Sequence, residues 1–140
     1  MLIRSLTLEN VKSYERAKVE FSPGTNAIVG PNGAGKTSIL EAIGFALFDH
    51  LPYSRPDFVR AGQRTASVAV DFVSDYDERA YQVIRSCGSS SAYTIMDPEL
   101  AIRICEGKAE VKHFLRLHLG IQQDTEPQEL FRNAVGVPQG

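Results

Sequence analysis

Eight residues near the N-terminus have the types and spacing of a phosphate-binding loop. Residues 30–37 read Gly-Pro-Asn-Gly-Ala-Gly-Lys-Thr and fit the pattern G-x-x-x-x-G-K-[ST] at every constrained position. Glycines let backbone N–H groups approach phosphate oxygens closely, and a helix that begins there favours the same anion. Lys36 would reach the outer phosphates, and the Thr37 hydroxyl would ligate the magnesium ion that bridges them. The pattern therefore predicts a nucleotide site.

Such a loop has to be held between a strand and a helix, and its flanking residues predict both. Residues 25–29 read as a short buried strand. Residues 38–48 are apolar on nearly all sides, which is typical of a helix that other elements cover, and this helix is expected to begin at about Lys36. A Gly-rich turn followed by an accidental Lys-Thr is the alternative, and the context disfavours it.

Alternating apolar residues predict a sheet around that helix. The predicted strands lie at residues 2–8, 17–21, 67–73, 79–85, 92–96 and 101–105. The first two form a hairpin with a turn over residues 10–15, and the later ones form an antiparallel meander. A helix over residues 108–119 and another beginning near Pro127 follow. Residues 49–64 are irregular, as segments that carry function often are.

Composition limits the class of protein. The chain has 140 residues, 43% of them apolar, as in one soluble globular domain. Seventeen acidic and fifteen basic residues give a net charge of −2, so no overall field attracts nucleic acid or an anionic membrane. No membrane span or secretory leader is apparent, which favours the cytoplasm. Cys87 and Cys105 are expected to be reduced thiols in or near strands, and the three histidines are not expected to bind metal.

A nucleotide hydrolase also needs an acidic residue after a buried strand, to hold the magnesium shell, and usually a second carboxylate beside it. Asp71 is the only candidate, at the end of the run Val-Ala-Val-Asp. Its strand alternates, which places Asp71 on the half-solvated face of an antiparallel strand and predicts a surface residue. The chain thus holds half of a nucleotide site.

These motifs together resemble the N-terminal half of the ATPase head in SMC-like DNA repair ATPases of the SbcC type, in the ABC ATPase class. The match includes a turn reading Asn-Val-Lys-Ser-Tyr at residues 10–14, the loop continued by Thr-Ser-Ile-Leu-Glu-Ala-Ile at residues 37–43, and Phe-Val-Arg-Ala-Gly at residues 58–62. It ends at Val-Pro-Gln-Gly, residues 137–140, where the family has its Q-loop. Tyr14 stands where His is common, and Thr37 replaces the usual Ser.

The resemblance implies a fold and a set of roles. The fold is an α/β P-loop NTPase of the ABC head type, its N-terminal lobe, with a mixed sheet around the P-loop helix and an antiparallel β meander. Lys36 and Gln139 would act in catalysis, and Thr37 and Gln139 at the magnesium ion. Residues implied to bind ATP are Lys12, Asn32, Gly33, Ala34, Gly35, Lys36, Thr37, Ser38, Val59, Arg60 and Ala61.

The family also implies what lies outside these 140 residues. A coiled coil and the C-terminal half of the head would follow, with the signature motif and the catalytic carboxylates. Implied partners are that C-terminal half, a second copy joined through ATP, a nuclease subunit and double-stranded DNA. The protein would be cytoplasmic and nucleoid-associated, with no membrane.

Other functions stay open on the residues alone. One is a self-contained phosphotransferase that uses Asp71 at the metal. Another is an interaction domain that keeps nucleotide only for stability, and a third is a chromosome-organising SMC-type head. Direct DNA contact would need local basic groups, for which the candidates are Arg79, Arg85, Arg103, Lys108, Lys112 and Arg116.

Overall fold

A six-stranded sheet organises the part of the chain that the structure describes, which is residues 2–21, 33–51 and 53–119 of a computed structural model. All neighbouring strands are antiparallel, in the order β2-β1-β3-β4-β5-β6. The strands are β1 (Leu2–Val11), β2 (Tyr14–Glu20), β3 (Thr65–Val73), β4 (Ala80–Gly88), β5 (Ala92–Asp97) and β6 (Ile102–Glu106). The predicted hairpin, meander and sixth strand are confirmed.

Helix α1 (Gly33–Phe48) packs against β1, β3 and β4. It begins three residues before the predicted start. No residue from 38 to 48 is exposed, because the helix carries apolar side chains on nearly every side and is covered accordingly. Helix α2 (Lys108–Leu119) has the predicted bounds and packs against β5, β6 and α1.

The core follows from strict alternation in the central strands. Along β3, every second residue from Ala66 to Phe72 is buried, and the register pairs these residues with the buried positions of β4. One of those positions is Arg85, which pairs with Val68 and is only 4% exposed. The helix-facing side of the central strands is therefore apolar except for one deeply placed cation.

Asp71 lies on the opposite face of β3 from Val70 and Phe72. Ser5 Oγ donates a hydrogen bond of 2.6 Å to Asp71 Oδ2. The Asp71 side chain is half-buried rather than a fully exposed surface group, because Ser5 of β1 pairs directly beside it. The face on which Asp71 lies points away from the apolar side that packs against α1.

Several predictions concern residues outside the described ranges. They are the strand at residues 25–29, the part of a mixed sheet that depends on it, the helix near Pro127, and Gln139. Cys87 is a buried free thiol on β4 and Cys105 a half-buried one on β6, as predicted. Within the described residues, no helix is long and apolar enough to cross a membrane.

His118 closes the core at the end of α2. Its ring stacks on Phe114 at 3.8 Å between centroids and meets the edges of Tyr76 and Tyr81. Ser74 Oγ lies 2.8 Å from His118 Nδ1 and satisfies that nitrogen. Burial lowers the pKa of His118, although Asp77, with Oδ2 3.9 Å from Nδ1, acts in the opposite direction.

We expect this histidine to make the fold sensitive to acid. The unfolded chain binds the proton near the ordinary pKa of 6.5, and the folded chain only at lower pH. This contribution to stability is therefore complete above 6.5 and is lost as the pH falls below 6.5 and through the folded pKa. Urea unfolding at about pH 7.5 and about pH 5.5 measures this loss. His118→Gln should reduce it, whereas His113→Gln, at an exposed position of the same helix, should leave it unchanged.

Candidate nucleotide site

The phosphate loop pattern runs directly into the first turn of α1. The helix begins at Gly33, so Gly33, Ala34, Gly35, Lys36 and Thr37 form its N-terminal turns. N–H groups in the first turn of a helix have no partner within the helix and favour an anion. No acidic residue lies in that turn to oppose one. Asn32 lies outside the described residues, and Ser38 is buried at the third position after Gly35.

The turn between β1 and β2 is joined to the irregular segment after α1. The Lys12 N–H donates to the Phe58 carbonyl at 2.9 Å, and the Arg60 N–H donates to the Asn10 carbonyl at 2.8 Å. An antiparallel bridge pairs Val59 with the residue before Lys12. The structure therefore brings together Lys12, Val59 and Arg60, which the family resemblance assigns to one site although they lie far apart in the sequence.

This turn requires an unusual backbone. Asn10 has φ 54° and Lys12 has φ 52°, in the left-handed region that non-glycine residues rarely adopt. Strain of this kind costs on the order of 1 kcal/mol per residue and persists only where surrounding contacts hold it. Here those contacts are the two backbone hydrogen bonds to residues 58–60. Ala61, the last member of the predicted set, follows them at an exposed position.

The side chain of Lys12 is tied to α1. Its Nζ lies 3.1 Å from Glu41 Oε1 and 4.3 Å from the centroid of the Tyr53 ring. Tyr53, and after it Glu41, raise the pKa of Lys12 despite the opposing effect of burial. The ammonium is therefore held in its charged form beside the helix that opens in the phosphate loop.

Two side chains from the sheet cap the far end of α1. Arg85 Nη1 donates to the Phe45 carbonyl at 3.0 Å, and the Tyr93 hydroxyl donates to the Ala46 carbonyl. Burial raises the pKa of Tyr93 to about 12, so this hydroxyl stays protonated and remains a donor. The Arg85 guanidinium also lies over the Phe45 and Tyr93 rings, at 4.2 and 4.1 Å from their centroids. These two carbonyls near the end of α1 are thus satisfied inside the core.

Asp49 lies just after α1 and forms ion pairs with several basic side chains. It follows α1 with φ 54°, and its Oδ1 lies 2.5 Å from Arg85 Nη1. Lys108 Nζ and Lys112 Nζ of α2 lie 2.9 and 3.6 Å from Asp49 Oδ2. Burial acts to raise the pKa of Asp49, but Lys108 and Arg85 outweigh it and the pKa is lowered. Arg55 Nη2 lies 3.9 Å from Asp49 Oδ1. We call these residues the Asp49 cluster, which joins α1 to β4 and α2 and consists of Asp49, Arg55, Arg85, Lys108 and Lys112.

This arrangement corrects one sequence interpretation. Arg85 is among the basic groups proposed for DNA contact, but it is buried and neutralised by Asp49. The reason is its register, since Arg85 occupies a helix-facing position of β4. The alternation of Tyr81, Val83, Arg85 and Cys87 is a usable signal, because it places the arginine on the apolar face. Asp49 and Tyr93 have no comparable signal.

A family model and several known proteins match this sequence. A family model described as AAA domain matches residues 5–131. A DNA double-strand break repair Rad50 ATPase of Archaeoglobus fulgidus is 32% identical over 142 aligned residues, which cover 100% of this chain and 14% of that protein. One from Methanopyrus kandleri is 45% identical over 71 residues, 51% of this chain and 8% of that protein. The matched region is thus a small part of the length of either relative.

A solved structure supports the fold. The SMC head domain from Thermotoga maritima superimposes with a TM-score of 0.59 at 24% identity, covering 79% of this chain and 40% of that one. The resemblance to SbcC-type, SMC-like ATPase heads is confirmed by these relatives together. Because the family model spans most of the sequence, the chain belongs to the AAA domain family.

Proposed function

We propose that this chain is the ATP-binding half of a DNA repair ATPase head. The observation that carries the proposal is that α1 opens within the phosphate loop pattern, with Lys12 tied to the same helix through Glu41. The relatives named Rad50 ATPase support ATP as the ligand. Thr37 and Gln139 would hold a magnesium ion bridging the phosphates, and Asn32, Ser38, Val59, Arg60 and Ala61 would complete the nucleotide contacts.

The hydrolytic carboxylate would come from outside this chain. Asp71 is the one candidate that the sequence offers, and it is bound by Ser5 on the sheet face away from α1. That position speaks against a self-contained phosphotransferase that uses Asp71 at the metal. It favours a head completed by a C-terminal half, which would return after a coiled coil.

The whole protein would then act as an ATP-driven clamp. Two heads would dimerise around two ATP molecules, so that ATP closes the pair and hydrolysis reopens it. The clamp would work on double-stranded DNA ends with a nuclease subunit, in the cytoplasm and in association with the nucleoid. Lys108 and Lys112 both pair with Asp49, so DNA contact through them would compete with that ion pairing.

Reconstitution tests this proposal. The 140-residue chain alone should bind ATP and show no turnover above background. Addition of the C-terminal half of the head should restore magnesium-dependent hydrolysis, measured as phosphate release. A reconstituted Lys36→Ala chain is the control for a contaminating ATPase and should remain inactive. Robust hydrolysis by the isolated chain, unaffected by the added half, would refute the divided site.

A further inference from the structure

We propose that Glu41 and Tyr53 are positioning residues for Lys12, holding its ammonium where it meets the phosphates of the bound nucleotide. This inference rests on the proposed function, because it assigns residues to the same ATP site. The resemblance assigns a nucleotide contact to Lys12 and gives no role to Glu41 or Tyr53. We call the three side chains the Lys12 clamp.

The position of Glu41 on α1 determines toward which end of the helix its carboxylate points. Glu41 follows Thr37 by four residues and Ser38 by three, so these three residues share one face of the helix. Side chains of an α-helix tilt toward its N-terminus, which brings the Glu41 carboxylate back toward the turns that contain Thr37 and Ser38. A cation bound to this carboxylate is therefore directed toward the N-terminal half of the helix.

The contacts around the ammonium are close and sheltered. Lys12 Nζ lies 3.1 Å from Glu41 Oε1, and the Glu41 side chain is only 12% exposed. The Tyr53 ring lies under the same nitrogen, with its centroid 4.3 Å away, in the geometry of a cation–π contact. One side of the ammonium is thus occupied by a carboxylate and another by a ring. The Lys12 side chain keeps 32% of its surface accessible, which leaves room for a further anion.

Both ends of the Lys12 side chain have partners. Its backbone is held by the hydrogen bond from Lys12 N–H to the Phe58 carbonyl. Its Nζ is at ion-pair distance from Glu41 Oε1, without a well-aligned hydrogen bond, and lies over the Tyr53 ring. A free lysine loses rotamer entropy when a ligand immobilises it. A lysine that already contacts a carboxylate and a ring has less of that freedom to lose when the ligand arrives, which would raise affinity. An ion pair between a lysine and a helix glutamate positions a phosphate-binding lysine in protein kinases in the same physical way.

Calorimetric titration of the 140-residue chain with ATP and with adenosine tests the clamp. Glu41→Gln should weaken ATP binding about threefold to tenfold and leave adenosine binding unchanged, because Lys12 acts on phosphate. The same substitution in a Lys12→Met chain should have no further effect on ATP binding. Tyr53→Leu, at a half-buried position, should reproduce the Glu41→Gln result independently. Glu106→Gln, from the exposed ion pair with Arg103, is the matched control and should bind ATP normally.

The outcomes separate the clamp from the function on which it rests. A wild-type chain that binds no ATP refutes the proposed function. A wild-type chain that binds ATP, with Glu41→Gln binding it equally well or more tightly, overturns the clamp alone. If Glu41→Gln costs the same ATP affinity in the wild-type and Lys12→Met backgrounds, the clamp is also overturned, because Glu41 would then act on the fold rather than through Lys12. Thermal unfolding of each variant identifies that structural effect directly.

Discussion

Arg85→Met should lower the free energy of unfolding by about 3 kcal/mol, as expected for removing one member of a buried ion pair. The substitution takes a donor from the Phe45 carbonyl and the closest cation from Asp49. Three cations, Arg55, Lys108 and Lys112, still face Asp49. The loss should therefore fall at the lower end of the range for a fully uncompensated charge. Urea unfolding followed by circular dichroism measures the change.

Arg103→Met provides the matched control. It removes an arginine of the same size from an ion pair in which both side chains are 60% exposed, and we expect a change below about 0.5 kcal/mol. Asp49→Asn keeps a residue that tolerates the positive φ and removes the charge from the other side of the pair. The double variant should lose less than the two single losses added together. Strict additivity would mean that Arg85 and Asp49 do not act as a pair.

Lys36→Ala should weaken ATP binding about tenfold to a hundredfold, because a hydrogen bond to a charged group contributes about 1.5 to 3 kcal/mol. The position lies in the N-terminal turns of α1, where the phosphate loop pattern places its lysine. The fold should be unaffected, since alanine is a strong helix former and the substitution keeps Lys36's position helical. Titration should therefore show a large loss of ATP affinity, whereas thermal unfolding should show an unchanged midpoint temperature.

Lys18→Ala serves as the matched control, because Lys18 is a 59% exposed lysine on β2. It should bind ATP as the wild type does. Unchanged ATP affinity in Lys36→Ala would contradict the nucleotide site. It would leave an interaction domain as the better interpretation of the chain.

Local patterns were sufficient to predict most of the described fold. Strict alternation predicts β3, β4 and β5, and the apolar face of Val111, Leu115 and His118 predicts α2 with its observed bounds. These elements are predictable from sequence because each has one face on the core, which gives a regular apolar pattern. The turn before β2 was harder to predict. β1 ends at Val11 and β2 begins at Tyr14, so the turn is shorter than the predicted one over residues 10–15. A left-handed Lys12 has no sequence signature comparable to glycine.

The sequence contains the motif of the candidate site but not the tertiary contacts around it. Glycine spacing and Lys-Thr are local, so residues 30–37 are recognisable in the sequence. Glu41, Tyr53 and Asp49 acquire meaning only through partners on other elements, at Lys12 and at Arg85. From the sequence alone, a charged residue next to an apolar helix is interpreted as solvent-exposed. Only the tertiary structure shows its ion-pair partner. For that reason the pairing could not be inferred from spacing.

The position of β1, between β2 and β3, has a consequence for folding order. β1 pairs with β3 across a long stretch of intervening chain, and that stretch contains the phosphate loop and α1. Pairs between neighbours in sequence, such as β3 with β4 and β4 with β5, close short loops and form early. Closure of the long loop is slower because its entropy cost comes before its contacts form. We therefore expect ATP binding to appear late in folding, since the turn that carries Lys12 would reach α1 only after β1 has joined the sheet.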